Sequence, residues 1–172
     1  MRESDSRPLM TVFGDPTVMA AFGRGPFSHE EMGAWVARNL EHQRQHGYGL
    51  FTVELSDTGL VIGDCGLERQ EIDRRRETEL GYDLRSDHWG RGLATEAASA
   101  VVHFAFTTLG LPSLVSLVRT DNARSARVAK RIGMERRRTL QRSGVSYDMY
   151  GMDAEPSGAR LAGEEGFEPS IS

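Results

Sequence analysis

A chain of 172 residues with a single cysteine, Cys65, has room for one domain with a hydrophobic core and no material for a disulfide framework or a thiolate metal cluster. Its formal net charge of -4 lies in residues 153–172, because residues 1–152 balance 20 basic against 20 acidic side chains, without the basic excess of a nucleic-acid binder. No apolar run approaches a membrane span and MRESDSRPLM is too polar for a signal peptide, so a soluble, cytoplasmic protein is expected.

In chain order, TVFGDPTVMAAFG predicts a short helix after Asp15-Pro16. FSHEEMGAWVARNLEHQRQHG predicts a longer one, capped by Ser28, with Glu31 completing a capping box and Gly47 as the stop. Met32, Trp35, Val36 and Leu40 share one of its faces. YGLFTVEL and GLVIGDCGLE read as two strands about the turn SDTG. ETELGYDL is a third, with Leu80, Tyr82 and Leu84 on one side and Glu79, Gly81 and Asp83 on the other. A helix follows from about Gly92 to Leu109, striped by Leu93, Ala97, Val101, Phe104 and Ala105.

SLVSLVRT is short and β-branched, a buried strand. DNARSARVAKRIGM is a helix with Asp121 or Asn122 as cap, Val128, Ala129 and Ile132 facing inward, and Gly133 as the stop. ERRRTLQR and VSYDMYGM close the fold as strands about Ser143-Gly144. The two RRR runs read as solvated surface, and no internal repeat is visible. Residues 153–172, rich in Gly, Pro, Ser and Glu, are expected to form a disordered acidic tail. The order α-α-β-β-β-α-β-α-β-β predicts an α+β domain over residues 1–152, with a mostly antiparallel sheet and one central βαβ crossover.

DHWGRGLATEA, residues 87–97, sets two glycines around an arginine at the mouth of a helix. The free N–H groups of the first helical turn and the positive end of the helix dipole make such a loop an anion site. Gly90 and Gly92 let the backbone approach a bulky anion with no Cβ between. A P-loop is excluded, since no Lys-Ser/Thr follows the glycines. A dinucleotide fingerprint fails on Thr95, which stands at the third glycine. It fails also on Glu77, Glu79 and Asp83, which do not suit a parallel strand buried on both faces. A pyrophosphate held on backbone amides beside an antiparallel sheet remains.

ELGYDLRSDHWGRGLATEA, followed by FTTLGLPSLVSLVRTDNARSARVAKRIGM, resembles the GNAT superfamily of N-acetyltransferases. Within it the chain is most similar to the branch that includes the ribosomal-protein N-terminal acetyltransferases. The resemblance implies helices on both faces of the sheet and a central βαβ site for acetyl-CoA as acyl donor. The family's Gln/Arg-x-x-Gly-x-Gly/Ala falls on Trp89 to Ala94, with Trp89 in place of Gln or Arg. It implies the pyrophosphate on the loop amides of Trp89, Gly90, Arg91, Gly92, Leu93, Ala94 and Thr95, and pantetheine between ELGYDL and SLVSLVRT. The implied acceptor is a primary amine, a protein N-terminus or a small molecule, acetylated directly in a ternary complex. The neutral core weighs slightly against a strongly polycationic acceptor. The branch usually opens with a strand, and MRESDSRPLM begins near its end, so the first strand is expected to be missing or truncated and the sheet edge open. Monomer and homodimer both stay open.

The reaction needs a neutral amine. At pH 7 an α-amine of pKa about 8 is free in roughly one molecule in ten, and a lysine of about 10.4 in roughly one in a few thousand. The departing thiol, of pKa about 8.5, needs less help, so a base matters more than an acid. The resemblance implies Glu79 as that base, directly or through water. A solvated carboxylate or an arginine's partner is the alternative, and Asp83 and Asp64 are its substitutes. Asn122 and Ser125 form the family's NxxS, the asparagine bonding the cofactor arm and the serine giving a proton to sulfur. Plain N-capping and an ordinary first-turn serine are the alternatives, and Tyr147 and Tyr150 are rival acids. Arg91 faces the pyrophosphate or solvent. Lys130 and Arg131 reach the adenosine 3′-phosphate or simply complement the helix dipole. Trp35 packs its helix in a region that lines the acceptor side in this family. Cys65 reads as core, and the five histidines show no ligand spacing, so no metal is expected. A non-catalytic CoA-binding module is the competing function.

Overall fold

A computed structural model describes residues 1–155; residues 156–172, most of the expected tail, lie outside the described residues. The elements are α1 (Ser6–Phe13), α2 (Pro16–Met19), α3 (His29–His46), β1 (Leu50–Glu54), β2 (Val61–Ile72), β3 (Arg75–Leu84), α4 (Leu93–Thr107), β4 (Ser113–Arg119), α5 (Ala123–Arg131), β5 (Glu135–Arg142) and β6 (Val145–Asp153). β6 thus runs one residue past the expected boundary at 152, and the Ala154 N–H donates to Pro112 O at 2.9 Å. No helix among the described residues is long and apolar enough to cross a membrane.

Local chemistry explains the helix starts. The Asp15 carboxylate accepts from Thr17 N at 2.8 Å with Pro16 in the first turn of α2. Ser28 and Glu31 form the expected capping box at α3, with bonds of 3.1 and 2.7 Å. α1 is a correction. The opening residues, read as the end of a strand, form a 3₁₀ turn at Glu3–Asp5 and then helix, burying Leu9, Val12 and Phe13. Those three lie on one side of a helical turn and pack with Met32 and Val36 of α3, a spacing that a strand would split between two faces.

The sheet order is β1-β2-β3-β4-β6-β5, and every pairing is antiparallel except β3–β4, which α4 connects. The β2–β3 hairpin is longer than expected, turning at Asp73 and Arg74, both at positive φ (50° and 65°). Aspartate tolerates that conformation but arginine does not favour it, so Asp73-Arg74 is a weaker turn signal than a glycine pair would be. Strand alternation divides the core. Cys65, Leu67, Leu80, Leu114 and Val118 meet α4 and α5 through Ala98, Val101, Ala105 and Ala129 on one face. α1 and α3 cover the other face, where α1 packs on β2 and the Asn39 side chain bonds Leu50 O and N at 3.1 and 2.9 Å.

Candidate active site

β3 and β4 touch at a single rung, Glu79 with Val115, and then part. Beyond that rung the Leu117 N–H donates to Glu79 Oε1 at 3.2 Å instead of to a β3 carbonyl. A cavity of about 190 Å³ opens between the end of β3, the glycine loop and α5. Tyr82, Asp83 and Leu84 line it from β3, Asn122 and Ser125 from α5, and the glycine loop from the end, with Val18 and Ala21 on the far side.

The loop has the expected character. Gly90 and Gly92 sit at φ of 77° and 83°, in the left-handed region, and a Cβ on either would meet nothing within 4 Å. Their space is open toward the cavity. The N–H groups of Gly90, Arg91, Gly92, Leu93, Ala94 and Thr95 have no partner among the described residues, and no side chain caps α4. Six uncommitted donors and the positive end of a helix dipole therefore lie in one loop beside the cavity. Trp89 holds the loop to β3, its indole N–H donating to Leu84 O at 2.8 Å. The Arg124 guanidinium stacks on the Trp89 ring, 4.0 Å from its centroid.

Most of the expected site residues come together here. Trp89, Gly90, Gly92, Leu93, Ala94, Thr95, Asn122 and Ser125 all line the cavity. Arg91 is exposed beside it, and Glu79 stands at the vertex where the strands separate rather than in the cavity wall. Asn122 does cap α5, accepting from Ser125 N at 3.1 Å through Oδ1, which leaves its amide N–H groups uncommitted among the described residues. Arg131 lines the cavity and Lys130 does not. Neither rival acid lines the cavity: Tyr150 is buried in the core at 3 % exposure, and Tyr147 packs beside Leu140 and Met149. The Trp35 ring packs tilted against Phe13, with centroids 5.0 Å apart.

Three cavity residues escaped the sequence reading. Arg124 and Arg127 join Arg131 along α5, and their i, i+3, i+7 spacing was a usable signal. Tyr82 was read only as an inward strand residue. Its hydroxyl spans the gap to α5, donating to Ser125 O at 2.9 Å and accepting from Ser125 Oγ at 3.2 Å.

Burial sets the electrostatics. Glu79 is pushed up to about 7 by desolvation, which the Leu117 N–H opposes and the Glu68 charge reinforces. Asp83, Asp64 and Glu68 are raised too, each first by desolvation and the two aspartates also by neighbouring carboxylates. Burial likewise pushes up the Cys65 thiol, as suits a core residue. These carboxyls keep protons in the fold that the unfolded chain has lost, so stability is complete below about pH 4 and falls as pH rises toward 7. The slope is at most about 1.4 kcal/mol per pH unit per group, less for Glu79 and Asp83, which solvent partly screens. Thermal unfolding should therefore give a lower Tm at pH 8 than at pH 5, and Glu79→Gln should flatten the decline.

Known proteins agree with this architecture. The family model for the acetyltransferase (GNAT) domain matches residues 1–135. The uncharacterized protein YkkB of Bacillus subtilis (strain 168) is 32 % identical over 146 residues, covering 83 % of this chain and 84 % of its own length. A solved acetyltransferase from Agrobacterium tumefaciens str. C58 superposes with a TM-score of 0.75 at 31 % identity, covering 88 % of this chain and 86 % of that one. The ribosomal-protein-S5-alanine acetyltransferase of Vibrio fischeri shares the fold at a TM-score of 0.74 and 15 % identity over 90 % and 91 % of the two chains. So does yncA of Salmonella typhimurium, a structure with acetyl-CoA, at 0.71 and 18 % over 92 % and 94 %. The family match spans the glycine loop, both splayed strands and α5, and by it the chain belongs to the GNAT family of acetyltransferases and is an acyltransferase.

Proposed function

We propose that this protein transfers the acetyl group of acetyl-CoA directly to a primary amine bound beside it. The observation that carries the reading is the run of uncommitted loop amides beside a cavity walled by β3 and α5, with a carboxyl of pKa about 7 where β3 and β4 part. Acetyl-CoA fits that donor set. The amides of Gly90 to Thr95 hold its diphosphate, the α5 arginines 124, 127 and 131 complement its remaining phosphate charge, and the Asn122 amide bonds its arm. When bound it supplies an activated acyl group on a thiol leaving group.

The chain's own residues handle the proton. Glu79 takes it from the amine, and its elevated pKa keeps it basic enough to do so near neutral pH. The Tyr82–Ser125 pair returns a proton to the thiolate. A phenol, of ordinary pKa about 10, is the better donor of the two, so Ser125 works through its bond to Tyr82. Incubating the protein with acetyl-CoA and a panel of peptides and small amines should release free thiol in step with acetylated product. Tight acetyl-CoA binding with no thiol release on any amine would sink the reading.

A further inference from the structure

One face of the β2–β3 hairpin gathers four carboxyls whose ionised forms burial disfavours. The register sets Asp64 opposite Asp83 and Glu68 opposite Glu79, with Gly66 opposite Gly81 between these rungs. All six share a face by strand alternation. Asp64 is 0 % exposed, and neither of its carboxyl oxygens has a hydrogen-bond partner among the described residues. Arg38 bears on Glu68 and Arg142 on Glu79, whereas only other carboxylates bear on Asp64 and Asp83. Asp83 lines the cavity, and Glu79, Gly81 and Asp83 all keep some access to solvent. A Cβ on Gly81 would meet only Leu50 Cδ2, at 3.8 Å, so a single aliphatic side chain borders the floor between the two carboxyls.

Burying carboxyls without donors or cations is costly, and the partner suited to this face is positively charged. We propose that the acceptor is a diamine or polyamine, with one ammonium held by Asp83 and Asp64 behind it while another nitrogen lies over Gly81 at Glu79. The proposal rests on the acetyl-transfer reading above. Four residue steps along β3 set Glu79 and Asp83 about 13 Å apart between Cα atoms, a span that an alkyl chain of several carbons bridges when both carboxyl side chains reach toward its ends. The neutral charge of residues 1–152, which weighed against a polycation, is a sum over the whole surface. Recognition at contact range follows the local imbalance instead.

Hexamethylenediamine and hexylamine separate the possibilities with the full chain. The diamine should raise Tm without acetyl-CoA where the monoamine does not, and Asp83→Asn and Asp64→Asn should each remove the rise. In turnover, kcat/KM should favour the diamine by about thirtyfold, and Asp83→Asn should shrink that ratio about tenfold, chiefly through KM. Equal Tm shifts from both amines would overturn the proposal. So would a ratio that Asp83→Asn leaves intact because both acceptors slow together, which would make Asp83 a proton acceptor. Diamine binding without thiol release refutes the activity and leaves this site standing; thiol release with no preference for the diamine does the reverse.

Discussion

Glu79→Gln should lower kcat/KM for acetyl transfer by about a hundred- to a thousandfold while leaving acetyl-CoA affinity where it was. The amide oxygen of glutamine still accepts the Leu117 N–H that Glu79 Oε1 now accepts at 3.2 Å, so the vertex between β3 and β4 keeps its geometry. What is lost is the ability to take a proton. In the unsubstituted protein, kcat/KM should rise with pH through about 7 as Glu79 ionises, and the variant should lack that limb. Steady-state thiol release between pH 5.5 and 9 measures both effects. A non-catalytic CoA-binding module would show neither, and a variant with full activity would remove Glu79 from the chemistry.

Gly92→Val should weaken acetyl-CoA binding by roughly a hundredfold, from two sources. At φ of 83° the backbone is in the left-handed region, which costs an L residue about 1–2 kcal/mol, with β-branched side chains among the worst suited. The new side chain also enters the space in front of the amides of Leu93, Ala94 and Thr95, where no protein atom stands. The first source lowers Tm by about 3–6 °C; the second acts only on the ligand. Gly59→Val separates them. Gly59, in the β1–β2 turn, has φ of 68° and open space at its Cβ, so it bears the same strain remote from the cavity. Calorimetric titration with CoA should find its affinity unchanged. Equal losses in both variants would mean that the loop does not hold the diphosphate.

The elements with strong local signals were legible because the causes are local. Ser28 and Glu31 cap α3, Asn122 caps α5, and the Ser143-Gly144 turn has both residues at positive φ, each decided within a few residues of chain. α1 was not legible. Its eight residues are too few for helical propensity to decide, and Leu9, Val12 and Phe13 become a helical face only through contact with α3. The Asp73-Arg74 turn was hidden for a related reason, since the long β2–β3 ladder imposes on Arg74 a conformation it does not prefer.

The candidate site divides in the same way. By itself the sequence determined the glycine loop at a helix mouth, the NxxS cap and the candidate carboxyl Glu79, because main-chain donors follow from glycine, helix start and strand order alone. Only the tertiary structure decided that β3 and β4 part after one rung, that Tyr82 reaches across to Ser125, and that Asp64 and Asp83 share a rung on which neighbouring carboxylates bear. Those are pairings between residues far apart in the chain, set by register and burial, and a strand's alternation reveals which face a side chain takes but not what stands opposite it.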